Sequence, residues 1–418
     1  MKICIAGGGL AGLALAHFLR GDVDFVICEK DVRAGGLLKS ETVEGFTFDT
    51  GGSHILFSKN GRILREMVNL VGDVVMHRRR TYIHYHGRFI KYPFENGIFM
   101  LPPQERFEIL KDFVENLARD KRKPENLRDF FVQMFGEKMV EKYLGPYNEK
   151  IWKRKLEDIA MAWEEDRLPK PPVEDVLRAA VGLETEGYTH QLRFFYPLHG
   201  GIESLAIALA EEVNENLRLS EEISQVMPSS DGISVNGEMY DYMVSTIPLP
   251  VMARIAGGEL ANLAEELDYN SVTVVGLGVK GKIPDFHWLY VPDKDIAFHR
   301  LAFLSNYSPN MAPPGMGTII AEISHRPNER VENPEERVIE GLEKLGIDVE
   351  VIVAKHWVNH YAYVVTDHRY FEIIPRIRKK LEEMRIYTLG RHGNWEYLNM
   401  DAVWKRAMAM AERIRGLA

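Results

Sequence analysis

The chain has 418 residues, 45% hydrophobic and 27% charged, which leaves room for two or three domains and a core around a large ligand. That balance excludes a disordered chain, a collagen-like repeat and a disulfide scaffold. The net charge of −9, from 61 acidic and 52 basic residues, argues against nucleic acid as a partner. It leaves open a small anionic ligand, which needs only a few local arginines. The two cysteines, Cys4 and Cys28, lie in apolar runs and read as buried thiols of a reducing compartment. No His/Cys cluster has metal-ligand spacing. No segment is a candidate membrane span, and Gly7-Gly8-Gly9 interrupts the N-terminal apolar run before it could act as a signal peptide. A cytoplasmic protein is expected.

In chain order, Lys2 to Ala6 predicts a strand buried on both faces, and Leu13 to Leu19 a helix. Phe25 to Cys28 predicts a second strand, ending at Glu29. Between them runs Gly7-Gly8-Gly9-Leu10-Ala11-Gly12, a G-x-G-x-x-G in a strand–turn–helix–strand–acid context. Gly7 permits the tight turn, Gly9 lets backbone approach a pyrophosphate, and Gly12 lets helix and strand pack closely. Free N–H groups at the helix start suit the pyrophosphate, and Glu29 suits a ribose diol. From Pro102 to Gly182 the pattern is helical, with Arg106 to Leu117, Leu127 to Phe135 and Glu137 to Tyr143 the clearest segments. Val272 to Val279, His287 to Val291, Phe298 to Ser305, Thr318 to Ser324 and Val349 to Trp357 predict strands of an antiparallel sheet. Ile386 to Arg391 reads as strand then turn, and Ala402 to Arg415 as a last helix opened by Asn399-Met400-Asp401. The basic runs His77 to Arg80 and Arg376 to Lys380 read as solvated faces.

The glycine turn does not separate FAD from NAD. The following stretch does: Arg33-Ala34-Gly35-Gly36 resembles the second glycine motif of the FAD superfamily of amine oxidases, protoporphyrinogen oxidases, phytoene desaturases and UDP-galactopyranose mutases. Phe46 to His54, with Asp49-Thr50-Gly51, resembles that superfamily's segment beneath the flavin. The resemblance implies an α/β architecture: a Rossmann-type FAD-binding domain, a helical subdomain and an antiparallel-sheet substrate domain. It implies a discontinuous FAD domain from 1–80, 195–265 and 383–418, closed by a strand within Asp241 to Pro248. The helical substrate subdomain is placed at 100–190, and the sheet domain at 81–99 and 266–382. The last helix is expected to direct its positive end at the flavin. FAD-binding positions implied are Gly7, Gly9, Gly12, Glu29, Lys30, Gly35, Gly36, Gly52, Ser53, Val226, Arg391, Asn399, Met400 and Asp401.

Three further blocks are more specific: Tyr92-Pro93-Phe94-Glu95-Asn96, Gly145 to Trp152 with Ala162 to Arg167, and Trp288-Leu289-Tyr290 through Arg300 to Tyr307-Ser308-Pro309. Nearly end to end, the chain resembles a UDP-galactopyranose mutase, nearer the fungal and protozoan branch. The resemblance implies interconversion of UDP-galactopyranose and UDP-galactofuranose, or of a related nucleotide sugar, on reduced FAD. It implies a covalent sugar adduct at flavin N5 and no net redox change. Arg167 and Arg300 match two diphosphate arginines, and a guanidinium fork holds phosphate bidentately. Either could instead serve a structural ion pair. Tyr307, Tyr363 and Tyr397 match phosphate-binding tyrosines, although Tyr361 lies on the same strand face as Tyr363. Tyr92, Asn148, Trp152 and Tyr290 match positions that hold or support the nucleoside. His54 matches a histidine loop at the flavin, and Arg391 an arginine near flavin and ligand. Glu95 stands where the family usually has glutamine beside the base, and Gln191 about where it has asparagine. No second nucleotide fingerprint is present, and the fungal-type resemblance suggests NADPH in the substrate cleft as reductant. The alternative reading is an FAD-dependent oxidoreductase of the amine oxidase or protoporphyrinogen oxidase type.

Overall fold

The computed structural model describes residues 1–161, 170–186 and 192–417. Its first layer is a five-stranded parallel sheet in the order Ile386–Thr388, Tyr242–Ser245, Lys2–Ala6, Asp24–Cys28 and Leu217–Arg218. Three distant parts of the chain thus share one nucleotide-binding sheet. Its central strand is solvent-free from Ile3 to Ala6, as the unbroken apolar run requires. The helix Leu10–Leu19 follows, and Met400–Arg415 packs beside it, with the Phe18 and Trp404 rings 5.4 Å apart.

The glycines of the first turn are required by close approach. Gly7 has φ +98°, and a Cβ on Gly12 would come within 2.0 Å of the Gly7 carbonyl oxygen. The two glycine motifs are stitched together: Gly35 N–H donates to the Gly8 carbonyl at 2.8 Å, and Gly9 pairs with Gly35 as an isolated parallel bridge.

The second layer is a seven-stranded sheet, ordered Glu350–Val364, Tyr269–Lys280, Met316–His325, Arg300–Phe303, Trp288–Tyr290, Thr81–Tyr85, Arg88–Lys91. It is mixed rather than purely antiparallel, because Trp288–Tyr290 runs parallel to Thr81–Tyr85. Those two strands are joined by a long crossover, not by a hairpin, so nothing forces them antiparallel. The Ser40–Val43 and Phe46–Asp49 hairpin lies against this sheet. Its rings press on backbone: a Cβ on Gly276 would meet Phe48 at 2.5 Å, and one on Gly278 would meet Phe46 at 2.6 Å.

Helices Pro103–Leu117, Leu127–Phe135, Gly145–Trp152 and Val173–Ala180 form the third layer, with a wide π-type turn at Val140–Leu144. Gly145–Trp152 is moored to the sheet. Ser324 Oγ donates to the Ile151 carbonyl at 2.5 Å, and Asn270 Nδ2 to the Trp152 carbonyl at 2.7 Å. Lys150 Nζ donates to the Val291 and Asp293 carbonyls at 2.9 and 2.7 Å. Among the described residues, no helix is long and apolar enough to cross a membrane, and no His/Cys/Asp/Glu group could hold a metal.

The Gly12 contact generates a test. Gly12→Ala cannot be accommodated without moving the Gly7 turn, so it should cost about 1–3 kcal/mol of stability. Flavin content per chain should fall with it, measured by absorbance against protein after gel filtration.

Candidate active site

An elongated cavity of about 450 Å³ runs between the parallel sheet and the mixed sheet. One end is lined by Gly7, Gly9, Cys28, Glu29, Lys30, Gly35 and Gly36, the other by Ser53, His54, Arg300, Glu322, Tyr363, Arg391 and Tyr397. Leu10, Ala11, Asn399 and Met400 also line it, so the N-terminal ends of both long helices abut one space. The residues fit a flavin dinucleotide. A Cβ on Gly9 would face open space, with Gly36 Cα at 3.8 Å as its one near neighbour, so the turn leaves room for a pyrophosphate. Glu29 accepts Gly8 N–H at 2.7 Å and Asp31 N–H at 2.9 Å. Each carboxylate oxygen keeps a lone pair for a ribose hydroxyl.

Not every expected cofactor residue reaches the wall. Gly12 and Gly52 lie behind it and act through backbone. Asp401 accepts Ser58 Oγ at 2.8 Å beside the helix start. Val226 is misplaced by the sequence reading. It is the first residue of the strand Val226–Pro228 and is buried in a separate apolar cluster. The chain meets the cavity before that strand begins, at Glu221 to Ile223.

The segment that carries Asp49 and Ser53 to the Arg300 end of the cavity is held by buried polar bonds. Asp49, fully buried, accepts Ser40 Oγ and Tyr196 Oη, both at 2.8 Å, and Ile202 N–H at 3.1 Å. Glu203 accepts Ser40 N–H at 2.9 Å and pairs with Arg33 at 2.5 Å. Ser53 Oγ is bonded to Tyr307 Oη at 2.8 Å and accepts Trp288 Nε1 at 2.9 Å. Tyr307 is therefore fully buried behind Ser53 and is not itself on the wall, because Phe194, Tyr196 and Trp288 enclose its ring. His54 Nδ1 bonds the Gly52 carbonyl at 2.9 Å. Burial pushes its pKa down to about 4, with Arg391 and Arg300 acting the same way. The neutral ring donates from Nδ1 and keeps Nε2 as an acceptor.

Arg300 lines the cavity and also makes the ion pair that was its alternative reading. Its Nε and Nη2 donate to Glu322 at 2.9, 2.5 and 2.7 Å, and Glu322 Oε1 also accepts Ser53 N–H at 3.2 Å. Nη1 makes no bond to a described residue, so one edge of the fork stays available on the cavity side. Glu322 is 3% exposed and was not foreseen. A lone acid inside the apolar run Ile319-Ile320-Ala321-Glu322-Ile323 was the available signal. Arg391 lies 4.1 Å over the Tyr397 ring and donates to the Leu398 and Ala362 carbonyls at 3.3 and 2.5 Å. Tyr361 and Tyr363 both line the cavity but do not share one environment. Strand pairing is irregular between Asn359 and Tyr363, which breaks the simple alternation. Tyr361 packs on Tyr269 and Trp395, and Tyr363 on Trp152, His299 and Tyr397.

Two of the remaining expected residues, Tyr92 and Tyr290, belong to a run of packed rings. Phe94, Tyr143, Tyr147, Tyr290 and Tyr92 follow one another with ring centroids 5.0, 5.5, 5.3 and 5.0 Å apart. Glu95 is buried in the short helix Phe94–Gly97. Asn148 donates to the carbonyl of Leu144, the residue that precedes its helix, at 2.8 Å, and Trp152 packs on Tyr363 and Tyr397. A second cavity of about 360 Å³ is lined by Arg79, Thr81, Tyr82, Lys91, Tyr92 and Pro93 among others. Arg79 corrects the reading of the basic run as solvated. Its guanidinium lies 5.0 Å from the Tyr92 ring and 5.3 Å from Trp288, and donates to Tyr290 Oη at 3.1 Å. His77 likewise turns inward, with Nε2 at 2.6 Å from the Tyr307 carbonyl. Arg167 and Gln191 lie outside the described residues.

Residues 10–369 match the family described as flavin containing amine oxidoreductase, and the chain belongs to that family. It is an enzyme of the FAD amine oxidase superfamily, and family and fold both support FAD as its cofactor. Over its full length it is similar to a solved reduced UDP-galactopyranose mutase. The TM-score is 0.92 and the identity 27%, with 100% of this chain and 96% of that one covered. It shares its fold with a putative protoporphyrinogen oxidase from Exiguobacterium sp. 255-15, at TM-score 0.77 and 17% identity over 100% and 99% of the two chains. It does so also with a CLA-producing fatty acid isomerase from P. acnes, at 0.67 and 16% over 98% of each. An uncharacterised protein from the nifH2 3′ region of Methanothermococcus thermolithotrophicus is 39% identical over 70 residues, 16% of this chain and 68% of that protein.

Burial raises the Asp49 carboxyl from 3.8 to about 6, against the three bonds that favour its charge. A raised carboxyl binds its proton more tightly when folded. Its stabilising contribution is present below about pH 4 and is lost as pH rises to about 6, a swing on the order of 3 kcal/mol. His54 acts oppositely, because its depressed pKa costs stability as pH falls from 6.5 to about 4. Denaturant unfolding at stepped pH should show the Asp49 component vanish in Asp49→Asn and the His54 component in His54→Gln.

Proposed function

We propose that the protein is a flavin-dependent isomerase that interconverts UDP-galactopyranose and UDP-galactofuranose, or a related nucleotide sugar, with no net redox change. The reading is carried by Arg300 and Arg391, set with Tyr363 and Tyr397 at one end of the dinucleotide cavity. The full-length similarity to a reduced UDP-galactopyranose mutase supports it. A cationic amine is repelled by two guanidinium groups there, whereas a diphosphate is neutralised by them.

The reduced flavin, when bound, supplies the electron-rich centre for substitution at the anomeric carbon. The chain's own residues handle the leaving group. The free Nη1 edge of Arg300 and the Arg391 guanidinium stabilise charge that develops on the departing diphosphate. Arg167 is the proposed second diphosphate arginine. Holding UDP in place makes its recapture effectively intramolecular. Glu322 offsets part of the positive charge, so the diphosphate is held without being trapped. Neutral His54 offers an acceptor beside the flavin without adding charge. Tyr92, Tyr290, Asn148, Trp152 and Glu95 support the nucleoside. NADPH is the proposed reductant, and the cytoplasm the proposed location.

The test is anaerobic. Protein reduced with dithionite is given UDP-galactofuranose, and UDP-galactopyranose is sought by chromatography beside an oxidised control. Conversion in the reduced sample alone is expected. Substrate-driven flavin reduction with peroxide release in air would favour the oxidoreductase reading instead. Arg300→Ala should lose about 2–5 kcal/mol of transition-state stabilisation at normal flavin content. Unchanged turnover in that variant would overturn the assignment of Arg300.

A further inference from the structure

We propose that His299 is a positioning residue that sets the Tyr363 hydroxyl as a hydrogen-bond donor to the anion held beside Arg300. The inference rests on the anion-binding reading of the site given above.

His299 is 1% exposed and sits behind the cavity wall. Its Nε2 lies 3.4 Å from Tyr363 Oη and 3.7 Å from Glu322 Oε2. Its Nδ1 is buried and bonds no described residue. The ring is neutral, because burial and the charges of Arg300, Lys150 and Lys153 hold its pKa well below the usual value. A neutral imidazole carries one N–H. Placed on Nδ1, that proton would be an orphaned buried donor, and the Nε2 lone pair would face the Glu322 carboxylate. Placed on Nε2, it points between two oxygens, and the lone pair left on Nδ1 is the cheaper group to leave unsatisfied. The geometry therefore selects the Nε2–H tautomer.

The consequence falls on Tyr363. Its oxygen accepts from His299, so its own proton cannot be directed there. Among the described residues the hydroxyl has no other partner. Tyr363 lines the cavity with Arg300, Arg391 and Tyr397, so the proton is left for the ligand. The same arrangement distinguishes it from Tyr361, which packs on Tyr269 and Trp395 instead. His299 also ties the device to the arginine through backbone, its N–H donating to the Glu322 carbonyl at 2.9 Å.

The experiment is calorimetric titration of UDP into FAD-loaded protein, with melting temperature and flavin content recorded for each variant. His299→Leu should weaken UDP roughly tenfold, and His299→Gln, which keeps a donor near Nε2, should stay within about twofold of the parent. In a Tyr363→Phe background, His299→Leu should change the affinity by less than about twofold, since the coupled hydroxyl is gone. An equal loss in both backgrounds, or no loss in either, overturns the proposal. A parent protein that does not bind UDP overturns the anion reading and this inference with it. Should the leucine variant not fold, the ring tautomer decides. ¹⁵N NMR of histidine-labelled protein, assigned with His299→Gln, should show Nε2 protonated, and an Nδ1–H signal for His299 overturns the proposal.

Discussion

The carboxylate of Glu322 is the point on which the two halves of the site depend. It stands directly opposite Arg300 in antiparallel register, so the charge pair is set by strand alignment before any side chain chooses a rotamer. Its Oε1 also takes the Ser53 N–H of the loop that leads to His54. That approach is why residue 52 has no side chain: a Cβ there would lie 3.0 Å from the same oxygen, at φ +93°. A buried ion pair adds little to stability once desolvation is counted. Here it orients. It spends two nitrogens of the guanidinium on the carboxylate, leaves the third without a bond to any described residue, and pins the loop carrying His54 at a set distance from it.

The same loop joins the two cavities. Ser53 lines the first, and its hydroxyl oxygen accepts the Trp288 indole N–H. The other side of Trp288 carries the Arg79 guanidinium, which lines the second. One indole therefore touches a residue of each cavity, the second lined by Glu184 and Glu186 as well as by Arg78, Arg79, Arg80 and Lys91. From Tyr92, which lines the second cavity, a run of packed rings leads through Tyr290 and Tyr147 to the buried Tyr143 and Phe94.

Elements built from neighbouring residues were legible in advance. The first turn, the helix beneath it and the second strand follow from apolar runs, glycine spacing and one acid, all within thirty residues. The strands of the mixed sheet and the helices before it follow from periodicity. Side chains whose surroundings come from elsewhere in the chain were read less well. Arg79 looks like its solvated neighbours Arg78 and Arg80 in sequence, and only the packing of Tyr92 and Trp288 around it distinguishes it. Tyr307 carries a motif position, yet the rings from two other segments close over it and put Ser53 in front.

By itself the sequence determined the dinucleotide-binding turn, because its glycine spacing, flanking apolar runs and acid are local and survive whatever the rest of the chain does. Only the tertiary structure decided which polar groups face the cavity. Glu322 meets Ser53 across 269 residues, His299 meets Tyr363 across 64, and Asp49 meets Tyr196 across 147. A side chain's charge, tautomer and free valence depend on such long-range partners. None of them is encoded in the residues beside it, so they come into being only when the sheets register and the loops close.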